Sequence, residues 1–432
     1  MATVTETSTE APTRAATGSI TYEDLYRRWE LSNWRATEID FGEDRRQWRE
    51  ELSEAERRAA LWNYSLFFHG EDSVTDNLSP FIDAAPREEQ KYFLATQQVD
   101  EARHAVFFAR FMREVVGMGG DSVATALDAT HDQLSWGFRK IFGELDRVSA
   151  GLRKDRSLPR LAAAVALYHL VIEASMAQPA QHYFERWLEE RGVLPGFLEG
   201  MRNVSLDEQR HIGFGVKLLS DLVAEDPECA EAVADLMRDI QPYDVAVLAP
   251  PGWDVSYVEA LGFTMEDIYE EGARSFESKM RAAGLPLDDL PGGSPQPTEL
   301  TPYERGKLGI DLLRAGVLGE GNGPASKDPE VMRLLFEHIH TAVDDRRLPP
   351  GGLTVQWDFA DADPWFVRFA NGSSKAEQTR VESADITLRC SWDDWCDVAA
   401  GRTDPVRSIA TRKLRPSGSP RALWRASKLF AR

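Results

Sequence analysis

Asp100-Glu101-Ala102-Arg103-His104 and Asp207-Glu208-Gln209-Arg210-His211 spell the same pattern, Asp-Glu-x-Arg-His, at two places in one chain. Each copy holds a Glu-x-x-His, and residues three apart share one face of a helix. A carboxylate and an imidazole on one face can grip one metal ion. A single Glu-x-x-His on a surface helix is ordinarily a solvated pair without a role. Two copies in a matching frame point instead to two equivalent helices and a pair of ions.

Helical bundles that hold two metal ions in this way add one Glu from each of two further helices. Before the first copy stands Phe67-Phe68-His69-Gly70-Glu71-Asp72-Ser73-Val74. Between the copies stands Tyr168-His169-Leu170-Val171-Ile172-Glu173-Ala174. Glu173 is an isolated acid in the apolar run 162–177. A buried, unpaired carboxylate is costly, and a cation removes that cost. In the earlier stretch either Glu71 or Asp72 can supply the acid. The candidate ligand set is then Glu71, Glu101, His104, Glu173, Glu208 and His211. Hard carboxylates with a few imidazoles suit Fe or Mn, and such sites leave open positions for dioxygen. Asp100 and Asp207 directly precede ligand Glu residues and are expected to accept an N–H from a ligand imidazole. His69, His169 and His182 read as core or surface histidines, and His338 and His340 show no partner pattern.

The chain has 432 residues, 42% hydrophobic and 28% charged, which favours two globular domains. A formal net charge of −21 argues against nucleic acid as a partner. Cys229, Cys390 and Cys396 are too few and too scattered for a disulfide framework or a thiolate zinc site, so a reducing cytoplasm is expected. No apolar run reads as long enough to span a membrane. Residues 1–18, rich in Thr, Ala and Glu, read as a disordered tail.

Apolar residues recur at helix spacing over 22–284, with named helices expected at 54–78, 87–116, 158–191 and 193–223. A Pro- and Gly-rich stretch, 286–300, looks like a linker between a bundle at 19–285 and a second domain at 301–432. There a helix over 330–343 precedes alternating runs at Leu353–Phe359, Trp365–Phe369 and Ile386–Cys390, the mark of half-buried strands. Asn371-Gly372 is a turn signal, and short helices follow at 392–400 and 422–430. The fold class expected is an all-α bundle followed by a smaller α+β domain.

The bundle residues resemble the ribonucleotide-reductase small-subunit superfamily, and the segment Trp34-Arg-Ala-Thr-Glu38-Ile-Asp40 fits it as well. The resemblance implies a ferritin-like fold. It is nearest to the ligand-binding oxidases, with a Mn/Fe or Fe/Fe site and an apolar channel for a fatty-acid-like ligand. Phe108 stands where a radical-forming subunit would carry its tyrosine, and Gly70-Glu71-x-x-Val74 looks like the first-ligand motif of the oxidases, which favours Glu71 over Asp72. By position Val74 and Tyr168 match the pair that those oxidases join in an ether crosslink; from composition alone they are core residues. Trp34 is expected beside the ligands, and Phe67, Phe107, Phe108 and Leu170 around the pocket. Pro179 departs from the pattern and should open or kink its helix. The tail by which reductase subunits dock has no counterpart, a second domain standing at that end.

That second domain resembles the sterol-carrier (type 2) domains along 301–432, through the strand runs above, Ala384-Asp-Ile-Thr-Leu388, Trp395, Gly401 and Lys413-Leu-Arg415. The resemblance implies a seat for an apolar ligand, or a structural domain that kept the fold alone. Together the expectations describe a dioxygen-using dimetal oxidase or oxygenase acting on a hydrophobic substrate, homodimeric, and fed by an external electron donor since no flavin or iron–sulfur motif is visible. A radical-generating reductase subunit and a non-catalytic lipid- or metal-binding protein are the alternatives.

Overall fold

The computed structural model describes residues 20–370 and 373–429, with side chains through Trp424. The expected tail at 1–18 and the turn at Asn371-Gly372 lie outside the described residues.

Four long helices carry the candidate ligands. Glu54–Asn77 starts at a capping box in which Ser53 and Glu56 satisfy each other's backbone N–H groups. Glu88–Phe111 carries the first doubled motif and Pro195–Glu225 the second. The latter begins under Asp44, whose carboxylate accepts from the N–H groups of Gly196 at 3.0 Å and Phe197 at 2.7 Å. A carboxylate there meets the positive end of the helix dipole and its unpaired donors.

The third helix is not uniform. It runs as α-helix over Leu158–Val165, widens to a π-helix over Ala166–Ala177, and returns to α-helix over Gln178–Arg191. Gln178 N–H bonds Glu173 C=O, five residues back. Pro179 has no N–H, so the widened ladder ends beside a residue that cannot continue it. The opening expected at Pro179 is thus spread over the turns that hold Glu173. One expectation needs correcting here: Leu158–Arg191 is long and apolar enough, by length and composition, to cross a membrane. Its most apolar window is 72% buried inside the protein, as befits the central helix of a bundle.

Beyond the bundle, five strands form one sheet in the order β3-β2-β1-β4-β5: β1 Leu353–Phe359, β2 Trp365–Ala370, β3 Ser373–Glu377, β4 Ile386–Cys390 and β5 Arg415–Gly418. β1 pairs parallel with β4, and the remaining pairs are antiparallel. Sequence patterning finds the three central strands and misses β3 and β5. Both are edge strands of mostly polar residues, none of them buried, and so carry no alternating apolar signal. The helix expected over 330–343 is shorter, Pro329–Glu337, followed by a 3-10 turn at Ile339–Ala342. The sheet closes over an aromatic core in which Phe336 stacks on Trp365 at 4.9 Å and Trp357 meets Trp395 edge-on at 5.3 Å.

The Pro- and Gly-rich connection is packed rather than free. Leu287 and Leu290 bury in the bundle core, and Arg238 donates to the carbonyls of Pro291 at 2.6 Å and Gly293 at 2.7 Å. The helix Pro302–Arg314 joins the two cores, with Ile310 in the first and Leu312 in the second.

Candidate metal centre

The four helices bring all six predicted ligand side chains together, each buried. Their donor atoms form two groups: Glu71, Glu101, His104 and Glu208, and Glu101, Glu173, Glu208 and His211. Within each group the atoms lie within 4.8 Å of one another. His104 Nδ1 is 3.1 Å from Glu71 Oε2 and 3.6 Å from Glu208 Oε1. His211 Nδ1 is 3.1 Å from Glu101 Oε1 and 3.7 Å from Glu173 Oε1. Glu101 and Glu208 belong to both groups, the arrangement two bridged cations require. Asp72 is half-buried, belongs to neither group, and leaves Glu71 as the acid of its helix.

Each imidazole turns Nδ1 inward and Nε2 outward. His104 Nε2 lies 3.1 Å from Asp207 Oδ2, and His211 Nε2 lies 3.1 Å from Asp100 Oδ2. An N–H donated from Nε2 to a carboxylate leaves the Nδ1 lone pair free for a cation. Trp34 Nε1 donates to Asp207 at 2.8 Å, and its ring stacks on His104 with centroids 6.1 Å apart.

Several participants escape the sequence reading. Arg103 bonds both Asp100 and Asp207, the latter at 2.8 Å. Arg210 bonds the same two acids, Asp207 at 2.6 Å and Asp100 at 3.1 Å. The signal for them was present: Arg fills the same place in both copies of the motif. Trp29 donates to Asp100 at 2.9 Å, mirroring Trp34, with no motif to announce it. Gln97, one turn before Glu101, donates to Tyr168 Oη at 2.9 Å and Glu173 Oε1 at 3.0 Å, while its carbonyl lies 3.2 Å from His169 Nε2. Tyr168 in turn donates to Glu101 at 2.6 Å. His69 lies 3.0 Å from Thr130 Oγ1 and His182 2.9 Å from Glu271, both apart from the cluster.

Burial pushes the Glu71, Glu173 and Glu208 carboxyls above the ordinary carboxylate range. Burial acts on Glu101 too, but the charges of His211 and His104 beside it hold it well below that range. Burial alone would lower both histidines, yet Glu71 beside His104 and Glu101 beside His211 raise them well above the usual value. His169 is buried without such a partner, and its imidazole is pushed down to about 3. Glu173 Oε2, Glu208 Oε2 and His211 Nδ1 are buried with no hydrogen-bond partner. Unpartnered buried acceptors cost about 1–3 kcal/mol each or more when charged. Two divalent cations would balance four carboxylates and occupy these orphaned atoms, so the residues fit a dimetal centre. The all-oxygen and imidazole donor set suits Fe or Mn.

The cluster opens onto a cavity whose walls are nearly all apolar. Glu71, Glu101, Glu173 and Glu208 line one part, together with Val74 and Tyr168. Of the four pocket residues expected, Phe67 lines the cavity. Phe107, Phe108 and Leu170 do not: they are fully buried in the core behind it. Phe107 faces Gly200, where a Cβ would lie 2.1 Å from its ring, and Phe108 stacks behind Phe67 at 6.0 Å.

A bundle whose helices converge on two carboxylate–imidazole groups defines the ferritin-like class of proteins built around a dimetal site. Within that class the chain belongs to the family "Ribonucleotide reductase, small chain", whose model matches residues 20–248, more than half its length. Residues 334–431 match the SCP-2 sterol transfer family, so a small sterol-carrier domain follows the bundle. Among solved structures, an R2-like ligand-binding oxidase from Sulfolobus acidocaldarius is 24% identical, with 66% of this chain and 94% of that chain covered and a TM-score of 0.51. Another R2-like ligand-binding oxidase, with an aerobically reconstituted metal cofactor after photoconversion, is 23% identical, covers 61% and 93%, and has a TM-score of 0.53. A variant with an anaerobically reconstituted Mn/Fe cofactor is 23% identical, covers 61% and 93%, and has a TM-score of 0.52. These likenesses establish the fold.

Proposed function

We propose that the chain is a dimetal oxidase or oxygenase that uses dioxygen on a hydrophobic, lipid-like substrate. The observation that carries this reading is the pair of donor groups sharing Glu101 and Glu208 at one wall of an apolar cavity. Glu71, Glu101, His104, Glu173, Glu208 and His211 would hold two ions, Fe/Fe or Mn/Fe, and the Mn/Fe cofactor of a similar structure supports the second choice. Bound there in reduced form, the metals would supply the electrons that reduce dioxygen and the oxidising power for attack on a C–H bond.

The chain's own residues set the conditions. Asp100 and Asp207 hold the imidazoles in one tautomer and orientation. Gln97 holds Tyr168 against Glu101 and Glu173. Phe67, Phe138 and Phe142 keep water from the cavity, which places an apolar body against the cluster. Val74 and Tyr168 line the same cavity, which supports an ether crosslink between them. That link would remove one hydrogen from each residue, with dioxygen as the oxidant.

The sterol-carrier domain would hold or supply the hydrophobic substrate. The division into domains at 19–285 and 301–432, a homodimer, a cytoplasmic location and an external electron donor belong to the same proposal. Phe108, where a tyrosine would be needed, weighs against a radical-generating reductase subunit. A protein that only stores metal or lipid would bind metal without consuming dioxygen.

Anaerobic loading with Fe(II), with and without Mn(II), followed by air, tests the reading. Two metals per chain with dioxygen consumption support it. Stoichiometric metal without consumption favours the storage reading, and no stoichiometric metal defeats it. Peptide mass spectrometry of the aerobic sample reports the crosslink as the loss of two hydrogens joining the Val74 and Tyr168 peptides.

A further inference from the structure

The cavity wall carries one polar side chain that belongs to neither the carboxylate cluster nor Tyr168. Asn63 lies on that wall and is 3% exposed. It sits on the helix Glu54–Asn77, which presents Asn63, Leu66, Phe67, Gly70, Glu71 and Val74 to the cavity. These positions are the three- and four-residue steps of one helix face. At ~1.5 Å per residue, Asn63 stands about 12 Å along the axis from Glu71. The cavity therefore has polar points about 12 Å apart along this helix, with Leu66, Phe67 and Gly70 between them.

The amide of Asn63 is oriented by its surroundings. Its Nδ2 donates to Ala59 C=O at 2.9 Å and to Tyr257 C=O at 3.0 Å. Carbonyl oxygens only accept, so the nitrogen end is fixed and both its protons are used. The other end, Oδ1, is then an acceptor, and among the described residues no group donates to it. Held by two hydrogen bonds, the amide cannot turn away without breaking both. The neighbouring walls, Leu66, Phe67, Phe138 and Val247, offer it no donor. An acceptor fixed in an apolar wall is suited to a donor that arrives with the ligand.

We infer that Asn63 is a specificity-determining residue of this cavity. Its Oδ1 accepts a hydrogen bond from a hydroxyl about 12 Å from the ligand end that reaches the carboxylate cluster. The ligand class is an extended apolar chain with a hydroxyl at or near the end away from the carboxylate cluster; in the test below an acid group serves only as a hard donor for the metal end of the probe. This inference rests on the dimetal reading above and deepens it by naming what the substrate carries.

The test uses the full chain loaded with metal, and calorimetric binding of decanoate against its ω-hydroxy derivative. The same pair is measured with chains two carbons shorter and two carbons longer. At the length that reaches Asn63 the hydroxyl should tighten binding about five- to tenfold, with little gain at the other lengths. In Asn63→Leu that gain should vanish while decanoate affinity stays within about twofold. Equal affinities at every length in the unaltered protein would mean that Asn63 holds an ordered water only, and would overturn the inference. A hydroxyl preference that survives Asn63→Leu, or no binding of any of these acids, overturns it as well. If Asn63→Leu does not fold, the length series on the unaltered protein decides by itself. Metal analysis of the same samples separates the two claims. Two metals without a hydroxyl preference remove Asn63 alone, whereas absent metal removes the dimetal reading and this inference with it.

Discussion

Asp100 orients the histidine of the other motif: its Oδ2 lies 3.1 Å from His211 Nε2, across two helices. The reciprocal contact joins Asp207 to His104 at the same distance. Arg103 and Arg210 each bond both acids, so the two copies of Asp-Glu-x-Arg-His form one interlocked unit. The acid of each motif positions the imidazole of its twin, and the two helices cannot slide without breaking both contacts.

Crossed pairing makes a directional prediction. Asp100→Asn should weaken the metal position formed with Glu173 and His211, by about 10–100-fold in affinity. Asp207→Asn should weaken the position formed with Glu71 and His104 instead. Metal titration of each variant, with metals counted per chain, reads the difference. The idea fails if Asp100→Asn depletes the His104 side.

Shared and private carboxylates should behave differently. Glu101 belongs to both donor groups, whereas Glu71 and Glu173 belong to one each. Glu101→Ala should therefore abolish binding of both ions, while Glu71→Ala or Glu173→Ala leaves close to one ion per chain. Elemental analysis after dialysis checks this. Equal losses in all three variants would argue against bridging.

Gly215 allows the motif helix to approach the Glu173 helix. A Cβ there would lie 2.2 Å from the His169 side chain. His169 in turn steadies Gln97, which holds Tyr168 and Glu173. Gly215→Ala should destabilise the bundle by about 1–3 kcal/mol through overpacking. Denaturant unfolding measures it, and an unchanged midpoint would contradict the close approach.

Asp244 gives a pH dependence away from the metal cluster. Burial pushes its carboxyl up from the ordinary 3.8 to about 7, opposed by the Val245 N–H at 2.6 Å. The folded state thus favours the protonated acid. Its contribution to stability is full below the unfolded value and is lost as pH rises through the folded one. Between about pH 4 and pH 8 stability should fall with rising pH, by on the order of 1–2 kcal/mol from this group. Asp244→Asn should flatten that slope, as thermal melts across the range would show. A slope unchanged in Asp244→Asn would assign the dependence elsewhere.

The amino-acid sequence by itself determined the four bundle helices, the six clustered side chains and the three central strands. Most rest on local periodicity: Glu-x-x-His places two side chains on one helix face, and alternation places strand residues on one side of a sheet; the choice of Glu71 over Asp72 came only from the resemblance to the ligand-binding oxidases. Glu173 was legible as an acid stranded in an apolar run. Only the tertiary structure decided what lies across from what. Sharing of Glu101 and Glu208, the crossing of Asp100 to His211, the part played by Trp29, and the orphaned oxygen of Asn63 all depend on how helices far apart in sequence pack. The same holds for Phe107 and Phe108, apolar like Phe67, which turn into the core because Gly200 and Phe67 leave room there. Helix spacing fixes which residues share a face. Packing between helices fixes which face meets a cavity, a core or a partner, and no local pattern encodes that choice.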